Sequence, residues 1–445
     1  MTLSEAANPP DLIIDARWVI PVQPLNTVLE RHSLVVKNGT ILDILPTSEV
    51  SAKYHGASEQ VRLDTHVLIP GLINLHTHAA MTLMRGLADD LPLMTWLNDH
   101  IWPAESRHVS SDFVYDGTLI ACAEMLRSGT TCFNDMYFFP EAAAEAAKTA
   151  GIRASIGMIV IEFPTAYGKD ADDYLRRGFA MRDAFKDDPL FHACIAPHAP
   201  YTVSDKTFEK ILTYAEQLEL PIHIHVHETQ DEIQQSLQQY QMRPLQRLQN
   251  LGLVGPGLIA VHSVHLTDEE IDILAAHGCH VAHCPASNLK LGSGISPVAK
   301  LVSRGVNVGI GTDGTASNNR LGMLEEMRLA ALLAKGASGD PTAVSAHQAL
   351  AMATINAAKA LGLDQKIGSL EQGKAADVVA VDLSSLETSP CYDPASHLVY
   401  VAGREHVSHV WVNGEARVRD GHFLMEKHEL HAKAAYWQDI IGRKS

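Results

Sequence analysis

Between residues 71 and 368 the sequence alternates strand-like and helix-like segments, and no other feature restricts the fold so sharply. The strand-like segments are GLINLHTH, TTCFNDMYF, GIRASIGMIV, FHACIAPHAP, PIHIHVHE, GLIAVHSVHL, CHVAHCP and VNVGIGTDG, eight in all. Stretches between them, such as SSDFVYDGTLIACAEMLRSG and SDKTFEKILTYAEQLE, read as helices. Eight βα units predict an α/β fold of the (β/α)8 TIM-barrel type. A doubly wound open sheet is the alternative, but the Gly-rich phosphate loop that usually follows its first strand is absent.

The two ends of the chain share a different vocabulary. DLIIDARWVIPV and RHSLVVKNGTILDILP near the start are rich in β-branched residues, and Asn38-Gly39 is a hairpin turn signal. KAADVVAVDL and HVSHVWVNGEARVRDG near the end repeat the pattern, with a second turn signal at Asn413-Gly414. We therefore expect residues 1–70 and 369–425 to form one composite β-sandwich beside the barrel of 71–368. Leu430, Ala434, Trp437 and Ile441 are spaced for an amphipathic helix over 426–445.

A chain of 445 residues is too long for one ordinary domain and suits a barrel of roughly 250 residues plus a smaller module. The formal charge of −17 disfavours nucleic acid or an anionic membrane as the main partner. No run of 18 apolar residues predicts a membrane span, and MTLSEAANPPDLIID has neither a basic nor an apolar region of a signal peptide. The six cysteines (Cys122, Cys132, Cys194, Cys279, Cys284 and Cys391) contain no C-x-x-C pair and fit buried reduced thiols in a cytoplasmic protein.

In a barrel, chemistry collects at the C-terminal ends of the strands. Strand one ends at His76 and His78, strand four at His198, strand five at His225, His227 and Glu228, strand six at His262, and strand eight at Asp313. Residues two apart on a strand face the same side, so His76 and His78 are a pair. Buried imidazoles need a partner, either a metal ion or other hydrogen-bonding groups. His76, His78, His225 and Asp313 make a set of three nitrogens and one oxygen suited to zinc, iron or manganese. One ligand beyond the usual catalytic three predicts five-coordination, or an aspartate that mainly handles a water. His223, His225 and His227 are expected to share a face at successive depths, with Glu228 past the strand end. His223 and His227 read as packed or supporting histidines. Asp313 has a second reading, as a helix N-cap before ASNNRLGMLEEMR.

HTH, the H-x-x-E of His225 to Glu228, His262 and GTDG together resemble the amidohydrolase superfamily over essentially the whole chain. LMTWLNDHIWPAE, APHAPYTVSD, HVHETQDE and HCPASNLKLGSGISPV resemble the 5-methylthioadenosine/S-adenosylhomocysteine deaminases within its mononuclear branch. The resemblance implies one zinc ion per subunit, with Fe2+ or Mn2+ as alternatives, a small-molecule nucleoside substrate, and a homodimer or higher homo-oligomer. It implies that Asp313 takes a proton from the attacking water, that Glu228 protonates N1 of an adenine ring, and that His262 stabilises charge at C6. It places His198 near N3 of the purine and Glu105 on the ribose hydroxyls. Relatives that take S-adenosylhomocysteine are expected to present an arginine where GIRASIGMIVIE has Met158. A methionine there predicts preference for 5′-methylthioadenosine or adenosine. The alternative is an amidohydrolase acting on another amino- or chloro-heterocycle, of guanine or s-triazine type. A non-catalytic scaffold would lack the ligands that this chain has.

Overall fold

The computed structural model describes residues 9–91, 95–425 and 427–442. The first eight residues, residues 92–94 (with Leu93 and Met94 of LMTWLNDHIWPAE), and Glu426 and 443–445 of the C-terminal segment lie outside the described residues.

Four strands open the chain: β1 (Leu12–Val19), β2 (Leu29–Lys37), β3 (Thr40–Pro46) and β4 (Glu59–Pro70). Eight follow in the middle: β5 (Leu72–Thr77), β6 (Thr130–Asp135), β7 (Arg153–Val160), β8 (Phe191–Pro197), β9 (Ile222–Val226), β10 (Leu258–His262), β11 (His280–His283) and β12 (Asn307–Ile310). Each pairs in parallel with the next, in chain order, which is barrel order and excludes the doubly wound alternative. All eight strand-like segments of the sequence thus become barrel strands. Fully buried runs such as β5 and β7 explain their unbroken apolar character.

The seam between β12 and β5 closes through a few specific contacts. Asp313 N donates to His76 O at 2.9 Å, and the Asn74 side chain bonds Thr312 at both Oγ1 (2.7 Å) and N (2.9 Å). A Cβ on Gly311 would lie 2.7 Å from His76 N, so only glycine lets the backbones approach this closely. The intervening helices start where the sequence offers caps. Ser110 accepts from Phe113 N before helix Ser111–Arg127, and Ser204 accepts from Thr207 N before helix Asp205–Leu218.

Four strands from the C-terminal part, β13 (Val378–Asp382), β14 (Val407–Val412), β15 (Glu415–Arg419) and β16 (His422–Phe423), join β1–β4 in one mixed sheet of order β16-β15-β14-β13-β4-β1-β2-β3. The two chain ends thus form the expected composite β-domain, its strands hydrogen-bonded in one continuous sheet. Two of its hairpins turn at Asn38-Gly39 and Asn413-Gly414, with both residues of each turn at positive φ, as a two-residue hairpin requires. The turns meet: Ala376 N bonds Gly39 O and Gly414 N bonds Ala376 O. The sheet curls around a core that includes Ile14, Leu34, Leu68 and Trp411.

Arg153 of β7 ties the two parts together through a bidentate pair with Asp377, at 2.9 and 3.2 Å, both residues being buried. Helix Lys427–Gly442 lays Leu430 and Trp437 against the barrel, and Trp437 Nε1 donates to Asp116. All six cysteines are free thiols, and all but Cys391 are buried. No helix among the described residues is long and apolar enough to cross a membrane.

Candidate metal centre and active site

Four donors converge at the C-terminal mouth of the barrel. His76 Nε2 and His78 Nε2 each lie 3.3 Å from Asp313 Oδ1, and His225 Nε2 lies 3.3 Å from His76 Nε2. Their outer nitrogens are held from behind. His78 Nδ1 donates to Met136 O at 2.5 Å and His225 Nδ1 donates to His198 O at 2.6 Å. A carbonyl only accepts, so each of these rings carries its proton on Nδ1 and turns a lone pair inward at Nε2. Lone pairs packed against a carboxylate oxygen share no hydrogen. A divalent cation resolves that crowding: the ring nitrogens of His76, His78 and His225 lie within 4.8 Å of one another, as do the donor atoms of His76, His262 and Asp313, and three imidazoles with one carboxylate make a donor set that fits one.

Burial sets the ionisation of the cluster. It pushes His76 down to about 4 and His225 well below the ordinary histidine range, which leaves the rings neutral, as ligands must be. Asp313 Oδ2 accepts from Ser287 Oγ (2.6 Å) and Ser317 Oγ (2.9 Å), which aims Oδ1 at the centre. The N-cap reading of Asp313 is not realised, because helix Met323–Ser338 begins ten residues later with Gly322 as its cap.

Glu228 and His262 adjoin the four donors. Glu228 Oε2 is 3.8 Å from His262 Nε2, and His262 Nδ1 is 2.8 Å from Asn288 Oδ1. Burial raises the Glu228 carboxyl above its usual range, against the pull of His262. The Glu232 carboxylate accepts from the backbone N–H of both His227 (3.1 Å) and Glu228 (2.8 Å), pinning the turn that carries Glu228. His227, His262, Ser263 and Asp313 all have left-handed φ, between 49° and 68°. Strain of this kind gathers where side chains must be aimed off a strand end.

The donors floor a cavity of about 550 Å3 walled by apolar and aromatic groups, among them Trp96, Leu97, Trp102, Phe138, Ile159, Phe163 and Tyr167. Glu105 and His198 both line it, as does Tyr137, whose phenol donates to Glu105 Oε1 at 2.7 Å. Burial raises Glu105 to about 7, and the phenol opposes that rise. His198 is lowered by burial to about 3 and is therefore neutral.

Two expectations are corrected by the strand geometry. Met158 does not face the cavity: it is fully buried on the outside of β7 against Gly178 of helix Ala171–Phe185, where a Cβ would lie 2.7 Å from it. Strand alternation turns its neighbour Ile159 inward instead. His227 does not continue the face of His223 and His225. The strand stops at Val226, His227 takes φ 58°, and its Nε2 accepts from Leu245 N at 3.1 Å, at the start of helix Pro244–Asn250. His223 does lie deeper on the same face as His225, beside His76.

Sequence reasoning left several site residues unassigned. Ser287, Asn288 and Glu232 sit in motifs that were singled out, but their partners are remote in sequence. Asp135, which ends β6 and accepts from Ala79 N at 2.7 Å, and His283, which ends β11, follow the same strand-end pattern but do not line the cavity. Tyr137 lies just past the end of β6, and nothing local marks it.

The amidohydrolase family pattern matches residues 67–417. The chain is 47% identical over 431 residues to the 5-methylthioadenosine/S-adenosylhomocysteine deaminase of Saccharophagus degradans, covering 97% of this chain and 96% of that one. It is 41% identical to the 5′-deoxyadenosine deaminase of Methanothermobacter thermautotrophicus, covering 93% and 96%. Its fold is similar to a solved adenosine deaminase from Xanthomonas campestris with bound zinc, at TM-score 0.97 and 47% identity over 98% and 99% of the two chains. A zinc-bound atrazine chlorohydrolase from Arthrobacter aurescens shares the fold at TM-score 0.88 and 24% identity, over 96% and 99%.

Proposed function

We propose that this chain, which belongs to the amidohydrolase family, is a metal-dependent deaminase that converts the 6-amino group of an adenine nucleoside to a 6-oxo group with release of ammonia. The observation that carries this reading is the placement of Glu228 and His262, 3.8 Å apart, beside the four converging donors on the floor of a closely walled cavity.

His76, His78, His225 and Asp313 would hold a divalent ion, zinc by preference with Fe2+ or Mn2+ as alternatives, which would supply Lewis acidity to make water a stronger nucleophile near neutral pH. Asp313 Oδ1 takes the proton of the attacking water. Glu228, its carboxyl raised by burial, protonates N1 of the purine; the water proton held on Asp313 goes to the departing amine, and the proton of the new C6 hydroxyl returns to Glu228 as the 6-oxo group forms. His262, fixed by Asn288, stabilises charge as C6 becomes tetrahedral. Glu105 accepts hydrogen bonds from the ribose hydroxyls, and His198 meets the purine edge near N3.

The described residues lining the cavity include no lysine and no arginine. An amino-acid carboxylate brought there would lose water without gaining a cation, at a cost of several kcal/mol. A methylthio group or a hydroxyl meets no such cost. We therefore assign 5′-methylthioadenosine as the preferred substrate, with adenosine second and S-adenosylhomocysteine last. The apolar wall supports this preference; Met158 does not.

The test is the ultraviolet change from adenine to hypoxanthine, followed with zinc-loaded protein on these three nucleosides and on guanine. Turnover ordered as above is expected. Faster turnover of S-adenosylhomocysteine overturns the preference, and turnover of guanine alone overturns the nucleoside reading.

A further inference from the structure

We propose that His223 is a positioning residue for the metal centre: it accepts the Nδ1–H of His76 and so holds that ring in the tautomer that offers Nε2 to the ion. The proposal rests on the metal reading of the site given above.

Four imidazoles of the donor cluster, His76, His78, His225 and His262, are not held alike. His78 and His225 are backed by carbonyl oxygens, and His262 by the side-chain oxygen of Asn288. His76 is backed by a nitrogen, His223 Nε2, 3.0 Å from its Nδ1, and both rings are fully buried. A carbonyl dictates the tautomer of the ring that faces it; an imidazole does not, because it can donate as well as accept.

The pair therefore has two arrangements. In one, His223 Nε2–H donates to His76 Nδ1, and the remaining proton of His76 sits on Nε2, aimed at Asp313 Oδ1 3.3 Å away. That arrangement blocks the ion. In the other, His76 Nδ1–H donates to His223 Nε2, His223 carries its own proton on Nδ1, and the Nε2 lone pair of His76 is free. Both arrangements carry one proton per ring, so they differ in where the protons sit and not in their number. An imidazole nitrogen is also a stronger acceptor than an amide oxygen, which makes His76 a more basic ligand. Nδ1 of His223 has no hydrogen-bond partner among the described residues, so the ring's one polar contact is with the ligand it backs.

The experiment compares zinc release to excess chelator, and zinc affinity by chelator competition, in the parent protein and in His223→Leu, His223→Met and His223→Gln. Gln carries an oxygen able to accept from His76; Leu and Met do not. Melting of each metal-free protein shows whether it folds, and having two apolar variants guards against the loss of one. We expect the apolar variants to bind zinc roughly 10- to 100-fold more weakly, the range seen when such supporting groups are removed, with His223→Gln recovering most of the affinity. Apolar variants that bind like the parent overturn the proposal. An equal loss in His223→Gln and the apolar variants also overturns it, because ring packing rather than the hydrogen bond would then be responsible. A parent protein that holds no zinc overturns instead the metal reading on which the proposal stands.

Discussion

Tyr137 and Glu105 are joined by a 2.7 Å hydrogen bond from phenol to carboxylate, inside the cavity. Burial raises Glu105 to about 7, and Tyr137 works against that shift. A carboxyl that accepts from two ribose hydroxyls must be ionised. Binding through Glu105 is then full above about pH 7 and is lost as pH falls through that value. Tyr137→Phe removes the opposing bond, so it should move the acid limb of kcat/KM to higher pH. An acid limb that stays in place would mean that Glu105 does not bind substrate in its ionised form.

Glu228→Gln removes the proton donor while keeping shape. Loss of general acid–base catalysis costs roughly 10^2- to 10^4-fold. We expect kcat to fall by that range, with KM within a few-fold and zinc content unchanged. Glu232→Gln, which disturbs only the support of the Glu228 turn, should cost less. If Glu228→Gln keeps more than a tenth of the parent kcat, the proton-transfer role is wrong.

Metal removal should destabilise as well as inactivate. An ion present at a thousand times its Kd adds about 4 kcal/mol to folding. Dialysis against a chelator should lower Tm by several degrees, and zinc should restore both Tm and turnover. A Tm indifferent to zinc would argue that the four donors do not share an ion.

Arg153 and Asp377 form a buried ion pair between the barrel and the composite sheet. Asp377 Oδ1 also accepts from Asn413 N at 2.7 Å, within the Asn413-Gly414 turn. Removing one partner of such a pair strands a buried charge, typically at about 3–5 kcal/mol. Arg153→Ala should show a loss of this size in urea unfolding, with kcat of the folded fraction preserved. A cost below about 1 kcal/mol would place the pair with surface salt bridges, which contribute little.

Met158 packs outward, so Met158→Leu should leave the ranking of the three nucleosides unchanged and cost less than about 1.5 kcal/mol. Met158→Arg should destabilise the protein without creating activity on S-adenosylhomocysteine. New activity on that substrate from the arginine variant would show that the side chain reaches the cavity after all.

The barrel could be read from the sequence because its signals are local. Apolar runs such as LINLH, the Ser110 and Ser204 caps and the two Asn-Gly turns each act within a few residues. The histidines at strand ends were legible for the same reason: a period of two and the end of an apolar run are enough to place them. Met158 faces outward because strand alternation turns Ile159 inward, and a family resemblance carries no information on that alternation. His227 leaves the face of His223 and His225 because β9 ends at Val226 and the backbone becomes left-handed at His227, which period-two alternation does not anticipate.

The sequence by itself determined the eight-stranded barrel, the composite sheet from the two chain ends, and the set His76, His78, His225, Glu228, His262 and Asp313. Only the tertiary structure decided what stands behind each of them: His223 behind His76, Asn288 behind His262, Ser287 and Ser317 behind Asp313, and Tyr137 beside Glu105. A residue's direction follows from local backbone geometry, which its neighbours in sequence control. A hydrogen-bond partner is chosen by the register between strands and by the packing of loops that the chain joins only much later. His76 and His223 are 147 residues apart, and their contact exists only once the strands between β5 and β9 have been laid side by side.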